Sequence, residues 1–152
     1  MKQLAERIKP YFQLLRIGYL LFIAILLYVM EKWVATPLLQ LAQFYEQMPW
    51  WVLTLLIMST ICIAAGGYII NDYFDVKIDR INHPEDLVVT RYISREGAMR
   101  LFQVLTILGV IMGLVVAWWA RSWTLVMIFI VIPGLLWFYS ASYKRQSLIG
   151  NI

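Results

Sequence analysis

Long apolar runs separated by short charged stretches dominate the chain. Three of these runs carry no charge and reach the ~20 residues that a helix needs to cross a bilayer; they cover 48–71, 101–120 and 122–143. An earlier run from Ile17 to Met30 is shorter, and it crosses if Arg16 and Glu31 extend their charged tips into the headgroups. The pattern predicts an all-α, polytopic integral membrane protein. We expect one membrane domain over 1–152, with transmembrane helices at about 11–30, 48–71, 101–120 and 122–143.

Composition supports a membrane location. Hydrophobic residues make up 62% of the chain and charged residues 14%, whereas an ordinary soluble domain is about 25% charged. The single cysteine, Cys62, lies in the middle of the second span, so it cannot form an internal disulfide and is interpreted as a small packing residue. Gly66 and Gly67 in the same span predict close helix packing, and Pro133 predicts a kink in the fourth span.

The basic residues are distributed unevenly around the four spans. Eleven of the 13 Lys and Arg residues lie in the N-terminal segment, the loop at 72–100 and the C-terminal segment, and only Lys32 and Arg121 lie on the other side. Six of the seven tryptophans cluster on that other side, as an aromatic belt would. The positive-inside rule therefore predicts that both termini and the 72–100 loop face the cytoplasm. The membrane is expected to be a bacterial inner membrane. Membrane lipid is the expected surrounding partner, and no nucleic acid is expected.

Three polar side chains close the second apolar span. Asn71, Asp75 and Asp79 are spaced four residues apart, so on a helix they share one face over roughly 12 Å. Carboxamide and carboxylate oxygens are hard ligands, and Mg²⁺ commonly binds through one or two carboxylates together with substrate phosphates. We interpret this ladder as half of a clamp that binds Mg²⁺ and a diphosphate.

A simpler interpretation is that the acidic residues form a solvated helix end that only marks the membrane interface. The common face and the apolar run that leads into it favour the clamp. The basic loop that follows also favours it, because Arg91, Arg95 and Arg100 can neutralise phosphate oxygens, although each of them also fits a purely topological role.

Two segments resemble a known family. "NDYFDVKID", residues 71–79, is similar to the Asn-Asp-x-x-Asp-x-x-x-Asp signature of the UbiA superfamily of intramembrane prenyltransferases, and its flanks "AAGGYIIND" and "RINHPE" match too. "YSASYKRQSLIGN", residues 139–151, resembles the family's Tyr-Ser, Lys-Arg and Gly-Asn segment at the end of the fourth helix. The resemblance extends across essentially the whole chain. The motif sequences most resemble those of bacterial members grouped with geranylgeranylglycerol-phosphate geranylgeranyltransferases.

The resemblance implies an enzyme that transfers an isoprenoid chain from a prenyl diphosphate to a lipophilic or glycerol-phosphate acceptor, with Mg²⁺ assisting departure of the diphosphate. The ladder residues would hold the metal, with Asp75 and Asp79 as catalytic residues. Further site residues implied at the cytoplasmic mouth are the catalytic Tyr139 and Lys144 and the substrate-binding Asn71, Arg91, Arg145 and Arg16. Snorkelling to the headgroups is an equally good interpretation of Arg16.

The sequence departs from the family in two ways. Asp86 stands where family members with "NxPER"-type loops have an arginine that is expected to face the diphosphate. The family also has about nine spans and a second Asp-rich loop, whereas only four spans and one such cluster occur here. A truncated reading frame, a natural half-protein that pairs with a missing C-terminal half, and an inactive remnant are the three explanations, and we favour truncation. A non-catalytic four-span module that binds a cation is the rival function.

Overall fold

The computed structural model of the protein describes residues 2–43, 48–82, 84 and 87–143, and helices dominate this part of the chain. The helices are α1 (Lys2–Leu15), α2 (Ile17–Val29), α3 (Thr36–Leu41), α4 (Trp50–Asn82), α5 (Arg95–Trp119) and α6 (Trp123–Phe138), with π-helical segments at Met30–Ala35 and Tyr139–Tyr143. Within the described residues, the helical stretches long and apolar enough to cross a membrane are Ile17–Leu41, Trp50–Asn82, Arg95–Trp119 and Trp123–Ser142. The predicted all-α architecture with four spans is confirmed.

The first span has different bounds from those predicted. It was placed at 11–30, but the apolar helix begins at Ile17. The backbone of Arg16 is left-handed (φ 51°, ψ 51°), and this residue separates α1 from α2. The helix then continues beyond Glu31 to Leu41. Thr36 helps it to do so, since its Oγ1 donates a hydrogen bond of 3.1 Å to Glu31 and so gives the carboxylate a partner on the helix itself.

The long helix α4 forms the centre of the bundle and packs most closely on α5. A Cβ built at Gly109 of α5 would lie 2.8 Å from Ile63 and 3.0 Å from the carbonyl oxygen of Ser59, so the two backbones approach each other directly. The buried hydroxyl of Ser59 donates to the Gly109 carbonyl at 2.7 Å across this contact. Gly66 likewise faces α5, at Thr106, which confirms the helix-packing interpretation of that glycine.

The segment between α4 and α5 folds back onto the end of α4. Val88, Val89 and Ile93 are buried together with Leu14 of α1 and Val76 of α4. A tight turn closes this segment, since the Thr90 amide donates to the Ile93 carbonyl at 2.8 Å. This core fixes the ends of α1, α4 and α5 relative to one another, on the side of the bundle where the acidic ladder lies.

Helix α6 begins at Ser122, whose hydroxyl accepts from the amide of Leu125 at 3.4 Å, a standard helix N-cap. Pro133 lies inside α6, and the helix continues through it to Phe138. A kink at Pro133 stays a prediction. Gly67 of α4 lies against Leu136, so a second small residue of the Gly66-Gly67 pair brings α4 close to α6.

Candidate functional site

A cavity of about 560 Å³ lies between α4 and α6, beside the break between α1 and α2. Its volume falls in the range of about 300–1,000 Å³ usual for sites that bind small molecules. We call this space the cavity. It is lined by Arg16, Thr60, Ile63, Ala64, Gly67, Tyr68, Asn71, Ile128, Phe129, Ile132, Leu136, Tyr139 and Ser140.

The polar lining residues are concentrated at one end of the cavity. One of them, Asn71, lies in the later part of α4, and two more, Tyr139 and Ser140, lie in the π-helical segment after α6. The fourth is Arg16, between α1 and α2. We call this group the mouth. The opposite end is lined by residues around Thr60 and Ile128, roughly 16 Å away by the helical rise between Thr60 and Asn71. The cavity therefore suits an amphiphile with a compact polar head and a long apolar tail.

Arg16 contacts α4 at the mouth through two side chains. Its Nη2 atom lies 3.2 Å from Oδ1 of Asp72, forming an ion pair. Its guanidinium also lies over the ring of Tyr68, 5.1 Å from the centroid, in a cation–π contact. Of the two sequence interpretations of Arg16, the structure supports the one in which it points to the mouth. Tyr68 also lines the cavity.

The acidic ladder continues from Asn71 away from the cavity. Asp75 is buried and Asp79 is half-buried, both on α4. Among the described residues, no group of three or more His, Cys, Asp or Glu side chains is placed to hold a metal ion. A donor set of one carboxamide and two carboxylates fits an open Mg²⁺ site that substrate phosphates complete, and it does not fit a closed protein cage.

The structure does not bring Arg91 to the cavity. Its side chain donates a long 3.5 Å hydrogen bond to the carbonyl of Pro84, and its guanidinium lies 5.3 Å from the ring centroid of Tyr92. Arg95 lies over the ring of Tyr73 at 4.7 Å, outside the residues that line the cavity. Substrate binding by Arg91 stays a prediction. Lys144, Arg145 and Asp86, which the sequence also singled out, lie outside the described residues.

The family model of the UbiA prenyltransferase family matches residues 33–152. The chain belongs to this family. The UbiA match includes α4 with its acidic ladder and the cavity-lining part of α6, and leaves out Arg16, which precedes it.

UbiA-family relatives with assigned names support the same grouping. The chain is 30% identical over 149 residues to digeranylgeranylglyceryl phosphate synthase of Sulfurisphaera tokodaii, covering 95% of this chain and 47% of that protein. It is 37% identical over 94 residues to the protein of the same name from Ignicoccus hospitalis, covering 62% of this chain and 29% of that protein. The chain thus spans less than half the length of these relatives.

A solved structure has the same fold. It is described as giving structural and mechanistic insights into the biosynthesis of digeranylgeranylglyceryl phosphate synthase in membranes. The two superpose with a TM-score of 0.72 at 25% sequence identity, over 96% of this chain and 47% of the other. The UbiA-type membrane fold expected from the motifs is confirmed.

Sequence reasoning left two contributors to the mouth without a role. Asp72 received no role because it interrupts the spacing of four that defines the ladder, and Ser140 received none because a serine near a helix end carries no distinctive signal. The signal for Asp72 was present, since a carboxylate directly after an apolar run needs a partner. Only the fold shows that this partner is Arg16, which lies 56 residues earlier.

Proposed function

We propose that the protein carries the donor-binding side of an intramembrane prenyltransferase active site. The reaction is transfer of an isoprenoid chain from a prenyl diphosphate to a lipophilic acceptor, most specifically a glycerol-phosphate lipid. One observation carries the proposal: the cavity has an apolar interior and a mouth with Arg16 and Asn71, next to the acidic ladder on α4. This arrangement matches a prenyl tail and a diphosphate head.

The residues divide the chemical work by position. The apolar walls around Phe129 and Ile132 exclude water from the prenyl tail and orient its reactive carbon towards the mouth. Arg16 binds diphosphate oxygens, which favours departure of the diphosphate when the C–O bond breaks. The aromatic face of Tyr139 stabilises the allylic cation that remains until the acceptor hydroxyl attacks it, and the hydroxyl proton is then released to the departed diphosphate. Asn71, Asp75 and Asp79 would hold Mg²⁺, which when bound offsets the negative charge of the leaving diphosphate.

We also propose that a further half completes the enzyme. The relatives are more than twice as long as the matched region, and one carboxamide with two carboxylates supplies fewer ligands than Mg²⁺ takes. A second group of carboxylates, in this chain's continuation or in a partner chain, would close the clamp around the diphosphate. The cytoplasmic orientation of the mouth and the bacterial inner membrane belong to this proposal as well.

Replacing Asp75 by Asn tests the assignment in the complete, membrane-embedded enzyme. The variant keeps the size of the side chain but removes the negative charge from the middle of the ladder, so transfer of a radiolabelled prenyl chain should fall by at least about 100-fold. Membrane insertion, followed by fractionation, should be unchanged. The matched control is Glu96→Gln, which removes a carboxylate 85% exposed on α5 and should leave transfer unchanged. Near-normal turnover of Asp75→Asn would overturn the proposal.

A further inference from the structure

Arg16, the residue between α1 and α2, has an unusual backbone conformation. Its φ of 51° and ψ of 51° lie in the left-handed region, which residues other than glycine, asparagine and aspartate rarely occupy. The break keeps local hydrogen bonds, since the Arg16 amide donates to the Gln13 carbonyl at 3.1 Å and the Tyr19 amide donates to the Arg16 carbonyl at 2.9 Å. Side-chain contacts from α4 add to these local hydrogen bonds.

Those contacts come from one face of α4. Tyr68 and Asp72 are four residues apart, so their side chains lie one above the other along the helix. Arg16 bridges both, with its guanidinium over the Tyr68 ring and its Nη2 atom on the Asp72 carboxylate. Tyr19, one turn after the break, adds a ring contact to Tyr68 at 6.4 Å between centroids.

Arg16 and Asp72 differ in their relation to the cavity. Arg16 lines it, whereas Asp72 is not among the lining residues and contacts two residues that are: Arg16 through the ion pair and Asn71 through a side-chain hydrogen bond. The ion pair uses one terminal nitrogen of a guanidinium that has five N–H donors, so Arg16 keeps donors for a second anion. A carboxylate in this position orients the cation without occupying the space that a substrate needs.

We propose that Asp72 is a positioning residue that holds the Arg16 guanidinium at the mouth, where it meets the phosphate oxygens of a prenyl diphosphate. This inference rests on the proposed function. It assigns to Asp72 a role separate from the metal-binding role proposed for Asn71, Asp75 and Asp79. Asp72 acts on binding of the anionic head, and its effect passes through Arg16.

A double-mutant cycle in the complete, membrane-embedded enzyme tests this coupling. Asp72→Asn should raise KM for geranylgeranyl diphosphate about ten-fold and leave kcat within about three-fold, because it removes orientation of a binding group. Arg16→Gln should raise KM at least as much. The double variant should be no worse than Arg16→Gln alone, because the two residues act as one unit. Asp72→Glu should recover most of the affinity, and Glu96→Gln, which breaks the exposed pair with Arg100, should behave as the parent.

Two kinetic results would overturn the proposal. Fully additive effects of Asp72→Asn and Arg16→Gln would show that the residues act independently. A large fall in kcat for Asp72→Asn, together with a higher Mg²⁺ requirement and an unchanged KM, would place Asp72 among the metal ligands instead.

A second readout does not depend on turnover. Hydrogen–deuterium exchange at the Tyr19 and Leu20 amides, which donate to the Arg16 carbonyl, reports opening of the break. Asp72→Asn should speed this exchange several-fold, and Glu96→Gln should not. Unchanged exchange in Asp72→Asn would overturn the positioning role. A parent enzyme without transferase activity would count against the proposed function, while the exchange result would still decide whether Asp72 holds Arg16.

Discussion

Single side chains at the mouth decide what the cavity can accept. Arg16 brings a positive charge to the end of an otherwise apolar space, and it forms an ion pair with Asp72 there. Asn71 adds a neutral oxygen and amide beside it, one turn before the buried Asp75. The combination favours a head group that is anionic and also binds a metal, which describes a diphosphate better than it describes a carboxylate or a neutral headgroup.

The proposed role of the Tyr139 ring can be tested by substitution. If its π-face stabilises the allylic cation, Tyr139→Phe should retain kcat within about three-fold, whereas Tyr139→Leu should lose at least about ten-fold, since a cation–π contact out of water contributes about 2 kcal/mol. The measurement is single-turnover transfer of a radiolabelled prenyl chain by both variants. Equal losses in Phe and Leu would instead assign the function of Tyr139 to its hydroxyl group.

Much of the residue-level site could be predicted from sequence, because spacing on a helix is a local property. Asn71, Asp75 and Asp79 lie on α4 as expected, and Arg16, Asn71 and Tyr139 meet at one cavity. The pairing of Arg16 with Asp72 could not be predicted. It depends on a break between two helices at which the left-handed residue is an arginine and not a glycine. Arg91 is a residue type that commonly binds phosphate, but in the fold its side chain contacts the Pro84 carbonyl and the Tyr92 ring.

At the scale of helices, close contact between α4 and α5 supports the site. Glycines and Ser59 allow the two backbones to approach, and this contact holds the α4 face that lines the cavity. Four spans could be predicted from the sequence because each apolar run is long. The apolar pattern misplaced the ends of the first span, because an interior Glu31 with a Thr36 partner looks in sequence like a boundary.

Substituting Gly109 by Ala tests this contact. The added methyl would lie 2.8 Å from Ile63 and 3.0 Å from the Ser59 carbonyl, so we expect a loss of about 1–3 kcal/mol in the free energy of unfolding in detergent micelles or bicelles. Gly134→Ala is the matched control, because a Cβ there has nothing within 4 Å. A Gly109→Ala variant as stable as Gly134→Ala would show that α4 and α5 are not held as closely as described.

For the whole molecule, the distribution of charge and tryptophan gives an orientation. The end of α4 that carries Asp75 and Asp79 is expected in the cytoplasm, and the turn at Arg121, which lies with Trp118 and Trp123, on the opposite side. This orientation would let a soluble or membrane-bound source of prenyl diphosphate reach the mouth from the cytoplasmic leaflet.

Labelling of introduced cysteines tests the orientation. Gln40 and Asn82 are exposed at opposite ends of the bundle, and the native Cys62 is buried. In intact cells with a permeable outer layer, a membrane-impermeant maleimide should label Gln40→Cys, and it should label Asn82→Cys only after the membrane is disrupted. The parent protein serves as the control for Cys62. The reverse pattern would place the mouth on the outer face.

In the proposed function, the cavity and the ladder together bind a prenyl diphosphate with Mg²⁺. The most direct measurement is calorimetric titration of Mg²⁺ into the purified, membrane-embedded protein, with and without geranylgeranyl diphosphate. The set of one carboxamide and two carboxylates on α4 predicts that Mg²⁺ binds at least about ten-fold more tightly when the diphosphate is present, because phosphate oxygens complete the metal site. Equal Mg²⁺ affinity with and without the diphosphate would contradict the account and favour a module that binds the cation alone.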